Sequence, residues 1–155
     1  MKYGIISDIH GNVIALRKIL KKFEELYVDK IICCGDIIGI GPDPENAVQE
    51  LIKLGNKLIC VRGNHEGYLI DGLPERVHDD KRMLSETEKK CHLWQQEQLS
   101  NNSIVFLKNL SSIEYILDGN IRICIIHYPI SFDGKYLRHL KNPTLEECEN
   151  LFERL

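Results

Sequence analysis

The chain reads as an α/β protein built on a parallel sheet. Two observations carry this. Three short apolar runs, KYGIIS (2–7), KIICC (30–34) and KLICV (57–61), have strand character, and amphipathic stretches separate them at 12–26 and 44–54. Strand, helix, strand, helix, strand is the pattern of parallel pairing with right-handed crossovers. The chain has 155 residues and is 43% hydrophobic, which fits one domain, 1–155, with a sizeable core.

Each element has its own justification. In 12–26, Val13, Leu16, Leu20 and Phe23 recur at helical spacing behind Asn12, a good N-cap. The run KIICC is too uniformly apolar to face water on either side. The Gly-rich stretch GDIIGIGPDP then leads into a helix with Pro44 in its first turn. Residues 66–84, with Gly67, Gly72 and Pro74, read as loop-rich. Ser85 and Glu88 form a capping box ahead of a helix over 85–99, and a short helix is expected at 103–109. The stretch IEYILDGNIRICIIH alternates around Asp118-Gly119-Asn120, a hairpin signal with strands near 113–118 and 121–126. Residues 144–154 form a last amphipathic segment, with Thr144 as its N-cap.

Composition narrows the function. Charged residues are 28% of the chain, with a formal net charge of −3. There is no clustered basic surplus of the kind an extended nucleic-acid surface requires. The pairs Arg17-Lys18 and Lys21-Lys22 read as the solvated face of a helix. No apolar run spans a bilayer and no signal peptide is visible, so the expected location is cytoplasmic, away from membranes. The six cysteines form no C-x-x-C pair. Cys33, Cys34, Cys60 and Cys124 lie in strand-like runs and read as small core residues in a reducing compartment.

Chemistry gathers where the strands end. The first strand exits into Asp8 and His10, the second into Asp36, and the third into Asn64 and His65. His127 closes the last strand in CIIHYP. Parallel strands end side by side, so the first three loops should converge. Asp8 and His10, at i and i+2, project to one side of an extended segment. Asp36 offers two oxygens that can bridge two cations, and Asn64 offers a neutral carbonyl oxygen. Mixed oxygen and imidazole donors suit manganese, iron, nickel or zinc better than calcium. Each motif alone has a plainer reading: D-x-H or G-D as a polar turn, G-N-H as a turn with a surface histidine. Three of them at successive strand exits favour the metal reading. His127 taken alone is equally a hydrogen-bonded structural histidine. Arg62 is either a contact to a substrate phosphate or a strand-end charge in solvent. His78, His92 and His139 read as surface residues, and Trp94 as core.

The stretches SDIHGN (7–12), GDIIGIGPDP (35–44), RGNHE (62–66) and IIHYP (125–129) resemble the calcineurin-like metallophosphoesterase superfamily. GPDPENAV and WQQEQLS resemble its small bacterial and archaeal phosphodiesterase-like branch. The resemblance implies a two-sheet sandwich flanked by helices. It implies two divalent metal ions, with Asp8 and His10 on the first, Asp36 bridging, and Asn64 and His127 on the second. His65 would sit over the substrate, stabilise phosphoryl charge and help protonate the leaving oxygen. Hydroxide held between the metals would attack in line, with no covalent intermediate. The implied substrate is a phosphomonoester or phosphodiester, a small molecule or nucleotide.

The sequence also departs from that family. Its G-H-x-H block, which would add one histidine to each metal, is absent from these residues, and Tyr128 stands where the family often has glycine. The fold is therefore expected to be C-terminally incomplete, with self-association or a partner completing the sheet. The alternative reading is a truncated, catalytically impaired member, or a fragment, acting as a weak metal-binding or interaction module.

Overall fold

The computed structural model describes residues 1–74, 83–128 and 144–152. Strands β1 (Tyr3–Ile6), β2 (Lys30–Cys33) and β3 (Leu58–Cys60) form a parallel sheet in the order β1-β2-β3. Helix α1 (Val13–Glu25) joins the first pair and α2 (Pro44–Ile52) the second. In register, Ile5 pairs with Ile32 and Ile32 with Ile59. The expected N-cap Asn12 accepts from Ala15 N through Oδ1 at 3.1 Å, and Asp43 caps α2 in the same way, its Oδ1 accepting from Asn46 N at 3.3 Å.

Side-chain alternation divides the sheet between two cores. Ile31 and Cys33 face a large cluster with Leu16, Leu20, Val48, Leu51 and Leu107. Ile32 faces the other way and packs with Val61 and Ile125. The uniformly apolar β2 is explained by this, because both of its faces are covered. The second cover is an antiparallel hairpin, β4 (Ile113–Asp118) and β5 (Ile121–Ile126), whose bounds match the sequence expectation. The layers are thus helices, parallel sheet and hairpin.

Three expectations need correction. The stretch read as loop-rich from 66 begins inside a helix, α3 (Asn64–Asp71). Its eight residues were hidden by Gly67 and Gly72, which read as breakers; Gly72 is in fact the C-cap. Trp94, on helix α4 (Glu86–Gln98), is 43% exposed rather than core. His92 on the same helix is 8% exposed rather than a surface residue. The short helix α5 spans Asn101–Lys108, starting two residues earlier than expected behind Ser100, and α6 spans Leu145–Phe152. His78, His139 and the end of the last segment lie outside the described residues. Among the described residues no helix is long and apolar enough to cross a membrane. The six cysteines are free, and Cys33 is fully buried, as a small core residue should be.

Candidate metal centre

The strand exits converge because hydrogen bonds carry the pairing beyond the strands. Asp8 N donates to Gly35 O at 3.1 Å, His10 N to Asp36 O at 2.9 Å and Gly11 N to Ile37 O at 2.7 Å. Asp8, His10 and Asp36 all take positive φ, at 54°, 47° and 54°. Non-glycine residues seldom do this, and each instance costs of order 1–3 kcal/mol. The effect is to turn three polar side chains toward one point instead of along the sheet.

That point is the Asp36 carboxylate, which is 2% exposed. Its Oδ2 lies 3.3 Å from His127 Nε2, 3.8 Å from His10 Nε2 and 3.9 Å from His65 Nε2. Asp8 Oδ1 is 3.8 Å from His10 Nε2. Two donor groups share Asp36: His10, Asp36 and His65, and Asp8, Asp36 and His127. Within each, the candidate ligand atoms lie within 4.8 Å of one another. This grouping crosses the one implied by the resemblance, which paired Asp8 with His10 and kept His65 out.

The donor set fits divalent cations on several independent grounds. His10 Nδ1 donates to Ile38 O at 3.0 Å and His127 Nδ1 to Cys34 O at 2.7 Å. Each carbonyl fixes the tautomer that leaves Nε2 bare and aimed at Asp36, as a metal-ligating histidine requires. His127 Nε2 and Asn64 Oδ1 are buried with no hydrogen-bond partner. Asn64 Nδ2 is engaged by the Tyr68 hydroxyl at 3.1 Å, which leaves the amide oxygen for another role. Buried polar atoms are normally satisfied, so the Asn64 amide oxygen in particular fits a cation ligand.

Electrostatics follow from the crowding. Burial works to raise the Asp36 pKa, but His127 and His65 beside it, together with the His65 N–H, hold it below the usual carboxylate range. Burial lowers the His127 pKa, and the adjacent Asp36 more than reverses this, so the net shift is upward. His65 is pushed down to about 4, chiefly by burial. Its Nδ1 is buried against Gly39 without a partner. Gly39, at φ 123°, has no substitute here, since any Cβ would overlap the His65 ring.

Two supporting residues escaped sequence reasoning. Glu66 is fully buried and accepts four backbone N–H groups: Asp36 and Gly63 at 2.8 Å each, Ile37 at 2.9 Å and Ile38 at 3.1 Å. Burial and the Asp36 carboxylate push its pKa up, and those N–H groups oppose the shift. Glu66 therefore ties the Asp36 loop to the start of α3, which carries Asn64 and His65. A glutamate directly after G-N-H was the available signal, but an acidic residue in a first helical turn reads equally as a dipole partner. Gln95 of α4 is the second, accepting from Gly39 N at 2.6 Å and donating to Gly41 O at 2.7 Å.

Above the cluster lies a cavity of about 420 Å³, with Asp8, His10, Asp36, Asn64 and His65 on its floor. Tyr128, in the glycine position, lines it as well, its ring centroid 4.3 Å from that of His127. Arg62 is placed elsewhere: its Nε donates to Ser112 Oγ at 2.8 Å, and it is not among the residues lining the cavity.

Comparisons with known proteins point to one family. An uncharacterised protein of Methanocaldococcus jannaschii, MJ0912, is 34% identical over 119 residues, covering 77% of this chain and 44% of that protein. The phosphodiesterase MJ0936 of the same organism is 31% identical over 87 residues, covering 52% and 49%. The match thus spans under half the length of either relative. The structure of a hypothetical protein from Pyrococcus horikoshii OT3 superposes with a TM-score of 0.78 at 21% identity, over 97% of this chain and 64% of that one. It shares the fold. The calcineurin-like phosphoesterase family model matches residues 1–154, and with the shared fold and the converging donors this places the chain in the calcineurin-like phosphoesterase family.

Proposed function

We propose that the chain is a dinuclear divalent-metal phosphoesterase that hydrolyses a phosphomonoester or phosphodiester. The observation that carries this is the Asp36 carboxylate, shared by both donor groups. In this reading the ions are divided as the resemblance implies rather than as the two geometric groups divide them: Asp8, His10 and Asp36 hold one ion, and Asp36, Asn64 and His127 the other, with manganese, iron, nickel or zinc as the metals the donors suit. When bound, such ions polarise a phosphoryl oxygen and lower the pKa of water toward neutrality.

The chain's own residues do the rest. His10 and His127 are held by Ile38 O and Cys34 O with Nε2 bare. His65 is neutral at physiological pH, since its pKa is pushed down to about 4. Its unpartnered Nδ1 is least costly as a bare acceptor, which leaves the proton on Nε2, on the side of Asp36 and the cavity. His65 thus donates an N–H to a phosphoryl or leaving-group oxygen as a neutral imidazole, not as an imidazolium acid. The relative named as a phosphodiesterase supports the diester side of the reading.

The test is an assay with manganese and a generic aryl phosphate. Activity should require the metal and fall about a thousandfold in Asp36→Ala, the loss expected when several kcal/mol of charge stabilisation is removed. Metal-independent turnover, or survival of activity in Asp36→Ala, sinks the reading. The competing reading is a weak metal-binding module, favoured by there being three described donors per ion. Calorimetry separates the two: tight uptake of two ions supports the enzyme, one weak site or none the module.

A further inference from the structure

Helix α4 turns polar residues inward. Its buried residues are His92, 8% exposed, and Gln95, 1% exposed. A helix ordinarily buries an apolar stripe, so these two are explained by what they touch. His92 meets the His65 ring, with centroids 4.9 Å apart. Gln95 reaches the loop between β2 and α2. Its Oε1 accepts from Gly39 N at 2.6 Å, and its Nε2 donates to Gly41 O at 2.7 Å. Gly39 N and Ile38 O belong to one peptide unit, which is planar, so fixing the N–H fixes the C=O. Ile38 O is the acceptor that takes the His10 Nδ1 proton at 3.0 Å. That leaves His10 Nε2 bare, 3.8 Å from both Asp8 Oδ1 and Asp36 Oδ2.

We infer that Gln95 is a positioning residue for the candidate metal centre. By gripping the Gly39 N–H it holds the Ile38–Gly39 peptide in the orientation that keeps the His10 proton on Nδ1 and leaves Nε2 for a cation. That His10 is a ligand rests on the phosphoesterase reading; the hold on its tautomer does not. The peptide needs such a hold. Residues 38–42 lie in neither helix nor strand. Gly39 sits at φ 123°, and glycine accepts either sign of φ, so its own backbone does not oppose a turned-over unit. Glu66 holds Ile38 N at 3.1 Å, but that N–H belongs to the preceding peptide. A turned-over unit would face His10 Nδ1 with an N–H in place of the carbonyl. The ring would then keep its proton on Nε2, and a protonated nitrogen binds no cation. The bond to Gly41 O sets the Gln95 amide the right way round, since only its oxygen accepts and only its nitrogen donates. Gly41 N in turn donates to His10 O at 2.7 Å, so the clamped loop also holds the His10 backbone. His127 provides an internal comparison, because its Nδ1 donates to Cys34 O at 2.7 Å, outside the loop that Gln95 grips.

The experiment is proton–nitrogen correlation NMR of the imidazole rings in the metal-free chain at alkaline pH, with manganese titrated calorimetrically into parallel samples. Wild type should show both His10 and His127 protonated on Nδ1. Gln95→Met fills the same space without hydrogen bonds. It should move His10 toward the Nε2–H tautomer, leave His127 unchanged and weaken manganese binding about tenfold or more. Gln95→Glu keeps an acceptor for Gly39 N in either protonation state. It should retain the wild-type His10 tautomer and bind manganese within about threefold of wild type. Should Gln95→Met not fold, Gln95→Asn, whose arm is shorter by one methylene, carries the same prediction. The inference is overturned if wild-type His10 carries its proton on Nε2, or if the variants that lose the Gly39 bond leave the His10 tautomer in place. It is overturned equally if His10 and His127 change together, the mark of general loosening, or if Gln95→Glu behaves like Gln95→Met. A His10 tautomer that follows Gln95 as expected, in a chain that takes up fewer than two ions or hydrolyses no ester, would leave the positioning role standing and defeat the phosphoesterase reading instead.

Discussion

The two faces of the parallel sheet are covered very differently. On the helix side Leu16, Val48, Leu51 and Leu107 are each 2% exposed or less. On the hairpin side the buried cluster is Ile32, Val61 and Ile125, and Ile5 of β1 is 65% exposed. Yet both faces serve one centre. The thick side supports the strained turns that present Asp8, His10 and Asp36. The thin side delivers His127, whose side chain is 3% exposed. Strain of a few kcal/mol is tolerable where the adjoining core is large, and a single ligand can be brought in by a lightly anchored hairpin.

The largest effect should come from Glu66→Gln, on the strained side. The carboxylate satisfies four buried N–H groups, two per oxygen. Glutamine keeps one acceptor oxygen and points an NH₂ at the other two donors. Leaving two donors unsatisfied should cost on the order of 4 kcal/mol. For a chain of this length the melting midpoint should drop by roughly 10 °C, and metal uptake should fall with it. A variant melting like wild type would show that the Asp36 loop is held by something other than Glu66.

The next largest probes the hairpin side. Ile125→Ala removes the best-buried β5 side chain of the small cluster, at 4% exposed, and should cost about 2–4 kcal/mol. Because Ile125 lies two residues before His127, the same variant should weaken metal binding more than a core truncation of similar cost on the other side, such as Ile31→Ala. Equal weakening by both variants would remove the distinction between the two faces.

This asymmetry also explains what could be read in advance. Strands, caps and hairpin were legible because each has a short-range cause: apolar runs, Asn12, Ser85, Asp118-Gly119-Asn120. That Asp8, His10, Asp36, Asn64, His65 and His127 lie near one another was legible because each follows an apolar run. Glu66, His92 and Gln95 were not. Their roles depend on partners up to 56 residues away, as for Gln95 and Gly39, and nothing local distinguishes them from solvated helix residues. Arg62 was ambiguous for the same reason, since Ser112, which engages it, comes from the segment leading into the hairpin.

Titration offers a smaller test of the same division. In the metal-free chain His65 has its pKa depressed, chiefly by burial, to about 4. Its folded pKa lies below the unfolded value, so its stabilising contribution is present above about pH 6.5 and is lost as pH falls toward 4. His127 is shifted up, with Asp36 outweighing burial. Its contribution is present below the unfolded pKa and is lost as pH rises through the folded one. Denaturant midpoints against pH should therefore show an acid limb that flattens in His65→Asn and an alkaline limb that flattens in His127→Asn. An acid limb that survives His65→Asn intact would place the buried neutral group elsewhere.

The smallest effect is expected at Leu117, 72% exposed on the outward face of the hairpin. A leucine already in water loses no burial when replaced, so Leu117→Ser should change stability by less than about 0.5 kcal/mol. The same face carries Tyr115 at 47% exposed. If a second copy packs on the hairpin, Leu117 is covered in the assembly. The substitution would then cost more, in a concentration-dependent way, and sedimentation would move toward the monomer. A small, concentration-independent effect means that the thin cover over this side of the sheet is all that His127 requires.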